Sequence, residues 1–287
     1  MRRRKALTDG TKPSLRGKTV AVSGATGGIG QALCGYLAEL GADLILVDRS
    51  RERSQALADR LSAEHGIKAE HLTLDLEDTD RAQAVARELS ERQVDHLVLN
   101  AGAYSIPRHS CSCGYDNVFT INFLSPYLHA RGVQAEIAER GGRIVVVGSI
   151  AHRYSKTDPE DVDFSTRRAA SLVYGNAKRH LMYALMGEEC VSITHPGIAV
   201  TGITAHYPRL IYALIKYPMK LIFMSPRKAA LSVLEGIFES TADGEWIGPR
   251  VLDVWGSPRR STLRSCSDSE KRYIKATAED IFNKIKN

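Results

Sequence analysis

Two residues one helical turn apart carry the first chemical signal in this chain. Tyr174 and Lys178 stand at i and i+4 in Tyr174-Gly175-Asn176-Ala177-Lys178, within a stretch, Ala169–Met186, whose pattern predicts a helix. At that spacing both project from one face. An ammonium near a phenol favours the phenolate and lowers its pKa, bringing a tyrosine closer to useful acid–base work near neutral pH. Alone, such a pair is an ordinary exposed helical pair. Ser149 follows the apolar run Arg143–Gly148; a hydroxyl there is either a turn residue or a donor to developing negative charge. Asn122 falls in a predicted long helix, Gly114–Arg140, as an interior polar residue or as a partner of a bend at Pro126.

A second constellation precedes these. The predicted strand Thr19–Ser23 runs directly into Gly24-Ala25-Thr26-Gly27-Gly28-Ile29-Gly30 and then into a predicted helix, Gly30–Leu40. Glycines allow positive φ and close backbone approach, and a helix N-terminus offers free N–H groups to a pyrophosphate. Gly24, Gly28 and Gly30 fit one known glycine spacing, and Gly24, Gly27 and Gly30 fit another; the motif alone leaves both open. Asp48 ends the second predicted strand, where a carboxylate can accept from ribose hydroxyls and repel a 2′-phosphate. Arg49 beside it could instead meet that phosphate. Asp75, in Leu74-Asp75-Leu76, ends a weaker strand, either to accept from an adenine amino group or to open a helix.

These residues need a scaffold. Short aliphatic runs at Thr19–Ser23, Asp43–Val47, Ala69–Leu74, Val94–Leu99, Arg143–Gly148, Val191–Thr194 and Val251–Val254 alternate with helical patterns at Gly30–Leu40, Arg51–Glu64, Thr79–Arg92, Gly114–Arg140 and Ala169–Met186. Such alternation predicts an α/β fold: a doubly wound, mostly parallel, Rossmann-type sheet of about seven strands between helical layers. Pro126 should bend the long helix, and Gly132 is a weaker point in it.

Asn100-Ala101-Gly102 follows the fourth strand, Gly148-Ser149 ends the fifth, Tyr174 to Lys178 lie on the next helix, and Pro196-Gly197 and Thr201 follow the sixth. In this order, from about residue 17 to residue 254, the chain resembles the short-chain dehydrogenase/reductase family, in its compact oxidoreductase form. The resemblance selects the Gly24, Gly28, Gly30 reading. It implies that Tyr174 is the acid/base toward an alcohol or ketone, that Ser149 bonds the same oxygen, that Lys178 binds the nicotinamide ribose, and that Asn122 holds a water linking Lys178 to solvent. It further implies a cofactor site formed by Gly24, Thr26, Gly28, Ile29, Gly30, Asp48, Arg49, Asp75, Leu76, Asn100, Ala101, Gly102, Tyr174, Lys178, Pro196, Gly197 and Thr201, with Thr201 on the carboxamide. Asp48 favours NAD over NADP. Ser23 stands where Thr is usual, Leu99 replaces an Asn whose structural hydrogen bond is then missing, and Gly148 replaces a Ser. The stretch from Ala151 to Val173 resembles the insertion of retinol- and steroid-type members.

The segment at about 202–225, with Leu210, Ile211, Tyr212, Leu214, Ile215 and Phe223 among interspersed Arg209, Lys216 and Lys220, reads as a lid over an apolar secondary alcohol or ketone, as a basic amphipathic membrane contact, or as plain packing. The 287 residues with 43% hydrophobic and 25% charged side chains suffice for one large core, so residues 17–287 are expected as one domain behind a basic tail at 1–16. That tail, with Arg2, Arg3, Arg4 and Lys5, lacks the apolar stretch of a secretory signal, and a cytoplasmic protein is expected, with no specific nucleic-acid partner and weak membrane-surface contact left open. Cys111 and Cys113 are too close for zinc spacing, and no second pair follows, so no metal is expected. A homodimer or homotetramer through the two longest helices is implied by the resemblance. The rival readings are a non-catalytic dinucleotide-binding regulator, which would not need Ser149, Tyr174 and Lys178 together, and an isomerase or lyase on the same scaffold.

Overall fold

The computed structural model describes residues 13–198, 224–263 and 265–286. The first half alternates as expected: β1 (Thr19–Ser23), α1 (Gly28–Glu39), β2 (Asp43–Asp48), α2 (Arg51–His65), β3 (Ala69–Thr73), α3 (Thr79–Glu91) and β4 (His96–Leu99). After a long loop come α4 (Asn117–Phe119), a π-helical segment (Thr120–Leu124) and α5 (Ser125–Glu139), then β5 (Arg143–Val147), a 3-10 turn (Ile150–Tyr154), α6 (Ala170–Leu185) and β6 (Val191–Thr194). The described chain resumes with α7 (Pro226–Phe238), β7 (Glu245–Val251), β8 (Trp255–Thr262) and α8 (Asp268–Lys286).

The eight strands form one sheet in the order β3-β2-β1-β4-β5-β6-β7-β8. All pairs are parallel except β7 with β8. Strand order reverses between β1 and β4, where open α/β sheets bind ligands beyond the carboxyl ends of the strands. Burial explains the unbroken apolar strands. In β5, Val145 and Val147 face a core shared with Leu33 and Leu37 of α1 and Val233 of α7, while Ile144 and Val146 face Phe123, Val133 and Leu181 from the other helical layer. Alternate residues point to opposite faces, and both faces are covered, so neither can be polar.

The carboxy-terminal third differs from the sequence expectation. The expected strand Val251–Val254 is mostly the β7–β8 turn: Leu252 and Asp253 have φ of 52° and 58°. The strand itself lies just before, in Glu245–Val251, where Gly248, Pro249 and Arg250 disguise it. The eighth strand has a polar sequence, WGSPRRST, because it is a largely exposed edge; Pro258, opposite Pro249, is tolerated only in such a place. Helices α7 and α8 were not foreseen, although Ile274, Ala278 and Ile281 of α8 are core residues.

The long helix does change at Pro126. Proline has no N–H for the carbonyl four residues earlier, which is that of Asn122. The π segment ends immediately before α5, in whose first turn Pro126 sits. Gly132 is no weak point: α5 runs through it, and a Cβ there would lie 2.7 Å from the Ala86 Cβ of α3, so its bare backbone lets the two helices approach. The expected lid lies almost wholly outside the described residues. No helix among the described residues is long and apolar enough to cross a membrane.

Candidate active site

A cleft of about 460 Å³ opens at the β1/β4 switch point. One wall is the β1–α1 turn, with Gly24, Thr26, Gly28, Ile29 and Gly30; the others bring Asp48 and Arg49, Asp75 and Leu76, and Asn100, Ala101 and Gly102. Every cofactor residue expected before residue 103 therefore lines one cavity. Gly24 has φ of +65°, and a Cβ on it would lie 2.8 Å from the Ala101 Cα. A Cβ on Gly30 would lie 2.2 Å from the Gly24 carbonyl oxygen. These two positions admit only glycine, and the tight turn aims the amino end of α1 into the cleft. Gly27 at its N-cap makes no side-chain capping bond, and the first turn holds no acidic residue. Uncapped donors and a positive dipole end are what a pyrophosphate requires, so the residues present fit a dinucleotide.

Ser23 fixes this turn to β4. Its hydroxyl accepts from the N–H groups of Asn100 and Ala101, both at 3.1 Å, and donates to the Val98 carbonyl at 3.3 Å. The Asn100 amide donates to the carbonyls of Ser23 and Gly24 at 2.9 and 3.1 Å. Leu99, in place of the more usual Asn, is simply a buried core residue; the connection is carried by Ser23 and Asn100.

Ser149 caps the 3-10 turn after β5, its hydroxyl accepting from the Ala151 N–H at 3.2 Å. Tyr174 projects from α6 and packs edge-on against Tyr104 at 5.4 Å between ring centroids. Lys178, one turn on, is 2% exposed, and its Nζ lies 5.9 Å from the centre of the Tyr174 ring. Asn122 is fully buried and spans to the other wall: its Oδ1 accepts from the Ala103 N–H at 3.2 Å, and its Nδ2 donates to the carbonyls of Ala103 and Val118 at 2.9 and 2.8 Å. A Cβ at Gly102 would lie 2.7 Å from Asn122 Oδ1 and 3.3 Å from Lys178 Nζ. Asn122, Lys178 and the Asn-Ala-Gly turn thus meet at one point.

The profile of the short chain dehydrogenase family matches residues 18–158, which include the glycine turn, Asn122 and Ser149. Human retinol dehydrogenase 13 is 30% identical over 209 residues, 68% of this chain and 63% of that protein, so the match spans less than two thirds of that relative. Over this stretch the chain is similar to the short-chain dehydrogenase/reductase family. A short-chain dehydrogenase from Sphingobium yanoikuyae, solved in complex with NADPH, superposes with a TM-score of 0.60 at 26% identity, covering 76% of this chain and 83% of that one. An uncharacterised protein of Mycobacterium paratuberculosis shares the fold over 94% of this chain and 95% of its own, with a TM-score of 0.74 at 21% identity.

Electrostatics at this site depart from the sequence expectation at one point. Burial pushes the Tyr174 phenol up to about 12, and the group that opposes this is the neighbouring Ser149 hydroxyl, not Lys178. The reason is visible in Lys178 itself. Its ammonium donates to the Val147 carbonyl at 3.1 Å, away from the phenol, and burial lowers its pKa to about 8. The positive charge available to Tyr174 is therefore smaller and farther away than spacing alone suggests.

Pro196 and Gly197 follow β6, with Gly197 at φ of +79° and a Cβ there 2.5 Å from the Val254 carbonyl, so that Gly197 packs on the β7–β8 turn; neither residue lines the described cleft. Thr201 lies outside the described residues. Sequence reading missed Arg53, whose guanidinium donates to the Thr26 carbonyl at 3.0 Å, and Tyr104, Ile106 and Ile121, which also line the cleft. Proximity to the glycine turn could have found none of them, though Tyr104 stands just after Asn100-Ala101-Gly102. Glu77, His109 and Cys111 lie close together. Asn117 Nδ2, which also faces the Pro107 carbonyl, donates to His109 Nδ1, and Nε2 bonds Glu77 at 2.9 Å. Both imidazole nitrogens are thus engaged in a closed hydrogen-bond network.

Proposed function

We propose that this protein is an NAD-dependent oxidoreductase that interconverts an apolar secondary alcohol and its ketone. The observation that carries the reading is the convergence of Tyr174 and Lys178 on one side of α6, with Tyr174 packed on Tyr104 of the cleft wall, Lys178 meeting Gly102 and Asn122, and the turn capped by Ser149 packed against Gly175 of the same helix. The bound nicotinamide would accept or supply the hydride. In oxidation Tyr174, as the phenolate, would take the alcohol proton and become the phenol; in reduction the phenol would give its proton to the substrate oxygen and be left as the phenolate. Ser149 donates to that same oxygen and stabilises its developing charge. Lys178 serves the ribose side and Asn122 holds the adjoining backbone. The isomerase or lyase reading would require the cofactor to be recycled without net change.

The preference for NAD rests on Asp48. One of its oxygens, Oδ2, takes both the N–H and the hydroxyl of Thr26 at 3.0 and 2.8 Å, while Oδ1 accepts only a long bond from the Ser50 N–H at 3.3 Å. Oδ1 has capacity left for a ribose hydroxyl, and the carboxylate opposes a 2′-phosphate despite Arg49 and Arg53 nearby. The apolar substrate is supported by Ile106, Ile121 and Tyr104 in the cleft wall and by the name of the human retinol relative.

The test is a panel of aliphatic, retinoid and steroid alcohols with NAD and with NADP, followed by absorbance of the reduced nicotinamide. Turnover of apolar secondary alcohols with NAD supports the reading. Dinucleotide binding without turnover of any alcohol or ketone would point to a regulator.

A further inference from the structure

One buried ion pair outside the cleft has no place in the chemistry above. Arg179 follows Lys178 on α6 but faces the other way, and it is 1% exposed. Burying a guanidinium costs several kcal/mol, and a well-packed apolar pair would join two helices at least as well. Here every arm is used. Nε and one terminal nitrogen donate to the two oxygens of Glu270 on α8, at 2.8 and 2.6 Å. The same terminal nitrogen reaches the Ser265 carbonyl, and the other donates to the His152 carbonyl at 2.9 Å. Glu270 Oε1 also accepts from the N–H and hydroxyl of Thr157 at 3.0 and 3.1 Å.

His152 lies in the 3-10 turn that Ser149 caps. Its Nδ1 bonds the Ser149 carbonyl at 2.6 Å, as donor to an acceptor-only group, and its ring is fixed edge-on to Trp246 at 5.4 Å. A continuous path therefore runs from Glu270 through Arg179 to the main chain of His152, and through the His152 ring to Ser149. An apolar pair could join α6 to α8, but it could not hold the carbonyl of His152 or the amide of Thr157. Resting on the reading of Tyr174 and Ser149 given above, we propose that Glu270, acting through Arg179 and His152, positions Ser149 so that its hydroxyl meets Tyr174. These three are positioning residues.

The groups facing Arg179 do not change charge near neutrality. Its own contacts hold Glu270 down at about 2, and burial raises Tyr183 and pushes Cys266 up to about 12. A change at Tyr174 in a Glu270 variant thus reports geometry and not a new titration.

The experiment uses the full chain carrying tyrosine labelled with carbon-13 at Cζ, with the Tyr174 resonance assigned by its loss in Tyr174→Phe. Ser149→Ala gives the resonance position without the serine hydroxyl. Glu270→Gln keeps the shape and removes the charge. His152→Phe keeps the ring packing and the ion pair but removes the Nδ1 donor, so it serves if Glu270→Gln fails to fold. Both should move the Tyr174 resonance toward its position in Ser149→Ala, with dinucleotide affinity held within about twofold, and lower kcat on the order of tenfold while KM changes little, since each 1.4 kcal/mol of lost transition-state stabilisation is a factor of ten. A wild-type resonance in folded His152→Phe or Glu270→Gln would overturn the proposal. If the resonance moves but the wild-type protein turns over no alcohol, the positioning stands and the proposed reaction falls.

Discussion

Lys178 Nζ donates to the Val147 carbonyl at 3.1 Å, tying the helix that carries Tyr174 to the strand whose end carries Ser149. The contact orders two elements of the candidate site with one bond, and it holds the ammonium away from the phenol. The buried amine has its pKa lowered to about 8. Its unfolded counterpart keeps its proton to the ordinary value of 10.5, so between those values the unfolded chain binds more protons and stability rises with pH. Each pKa unit is worth about 1.4 kcal/mol. Tyr174, raised to about 12, acts in the opposite sense above pH 10. Melting temperatures from about pH 8 to pH 9.5 should therefore climb in the wild type relative to Lys178→Met. Parallel curves would place the lysine in water.

Acid stability follows from another set of buried groups. His96, His129, His152, His180 and His195 are all pushed down to about 4 by burial. Unfolded imidazoles protonate near 6.5, so the stabilisation is complete above that pH and is lost as pH falls toward 4. His180, packed against Phe119 and Phe123 at 5.3 and 5.5 Å, is the cleanest probe. His180→Leu should shift the acid unfolding midpoint downward; an unchanged midpoint would mean the imidazole is not the titrating group.

The π segment should matter for turnover. Pro126 cannot donate to the Asn122 carbonyl, and Asn122 holds both main-chain polar groups of Ala103. Pro126→Ala restores a donor and should relax the π segment toward regular α-helix, turning Asn122 out of place. A loss in kcat/KM of about tenfold, or 1.4 kcal/mol, with little loss of melting temperature is expected. Asn122→Ala should lose more, because both main-chain groups of Ala103 lose the side chain that fixes them at the cleft wall.

Much of this was legible in the sequence because the signals are local. The glycine turn, Asp48 and the Tyr174–Lys178 pair each follow from a few consecutive residues and the element that carries them. Asn122 was found by resemblance, and its link to Pro126 follows from helix geometry. What was hidden depends on contacts across the chain. Arg179 and Glu270 are 91 positions apart, and nothing in Ala177-Lys178-Arg179 announces a buried cation. The direction of the Lys178 ammonium depends on the Val147 carbonyl, which no spacing rule reveals. Strands β7 and β8 escaped because Gly248, Pro249 and Pro258 are strand-breaking residues in all but an edge hairpin.

Cofactor choice gives a further prediction. Asp48→Ala removes the acceptor of the Thr26 bonds and the charge opposing a 2′-phosphate, leaving Arg49 and Arg53 in the wall. The affinity ratio of NADH to NADPH, measured by fluorescence titration, should fall by at least about tenfold, or 1.4 kcal/mol. A ratio that does not change would remove Asp48 as the selector.

The central claim is that Tyr174 moves the proton. The direct measurement is Tyr174→Phe, assayed for NADH binding by fluorescence titration and for turnover of whichever alcohol the wild-type protein oxidises. Phenylalanine keeps the ring against Tyr104 and removes only the hydroxyl. Binding within about twofold of wild type with turnover reduced by about 10² to 10⁴ is predicted, the usual worth of a positioned acid–base group. Turnover equal to wild type would contradict the account.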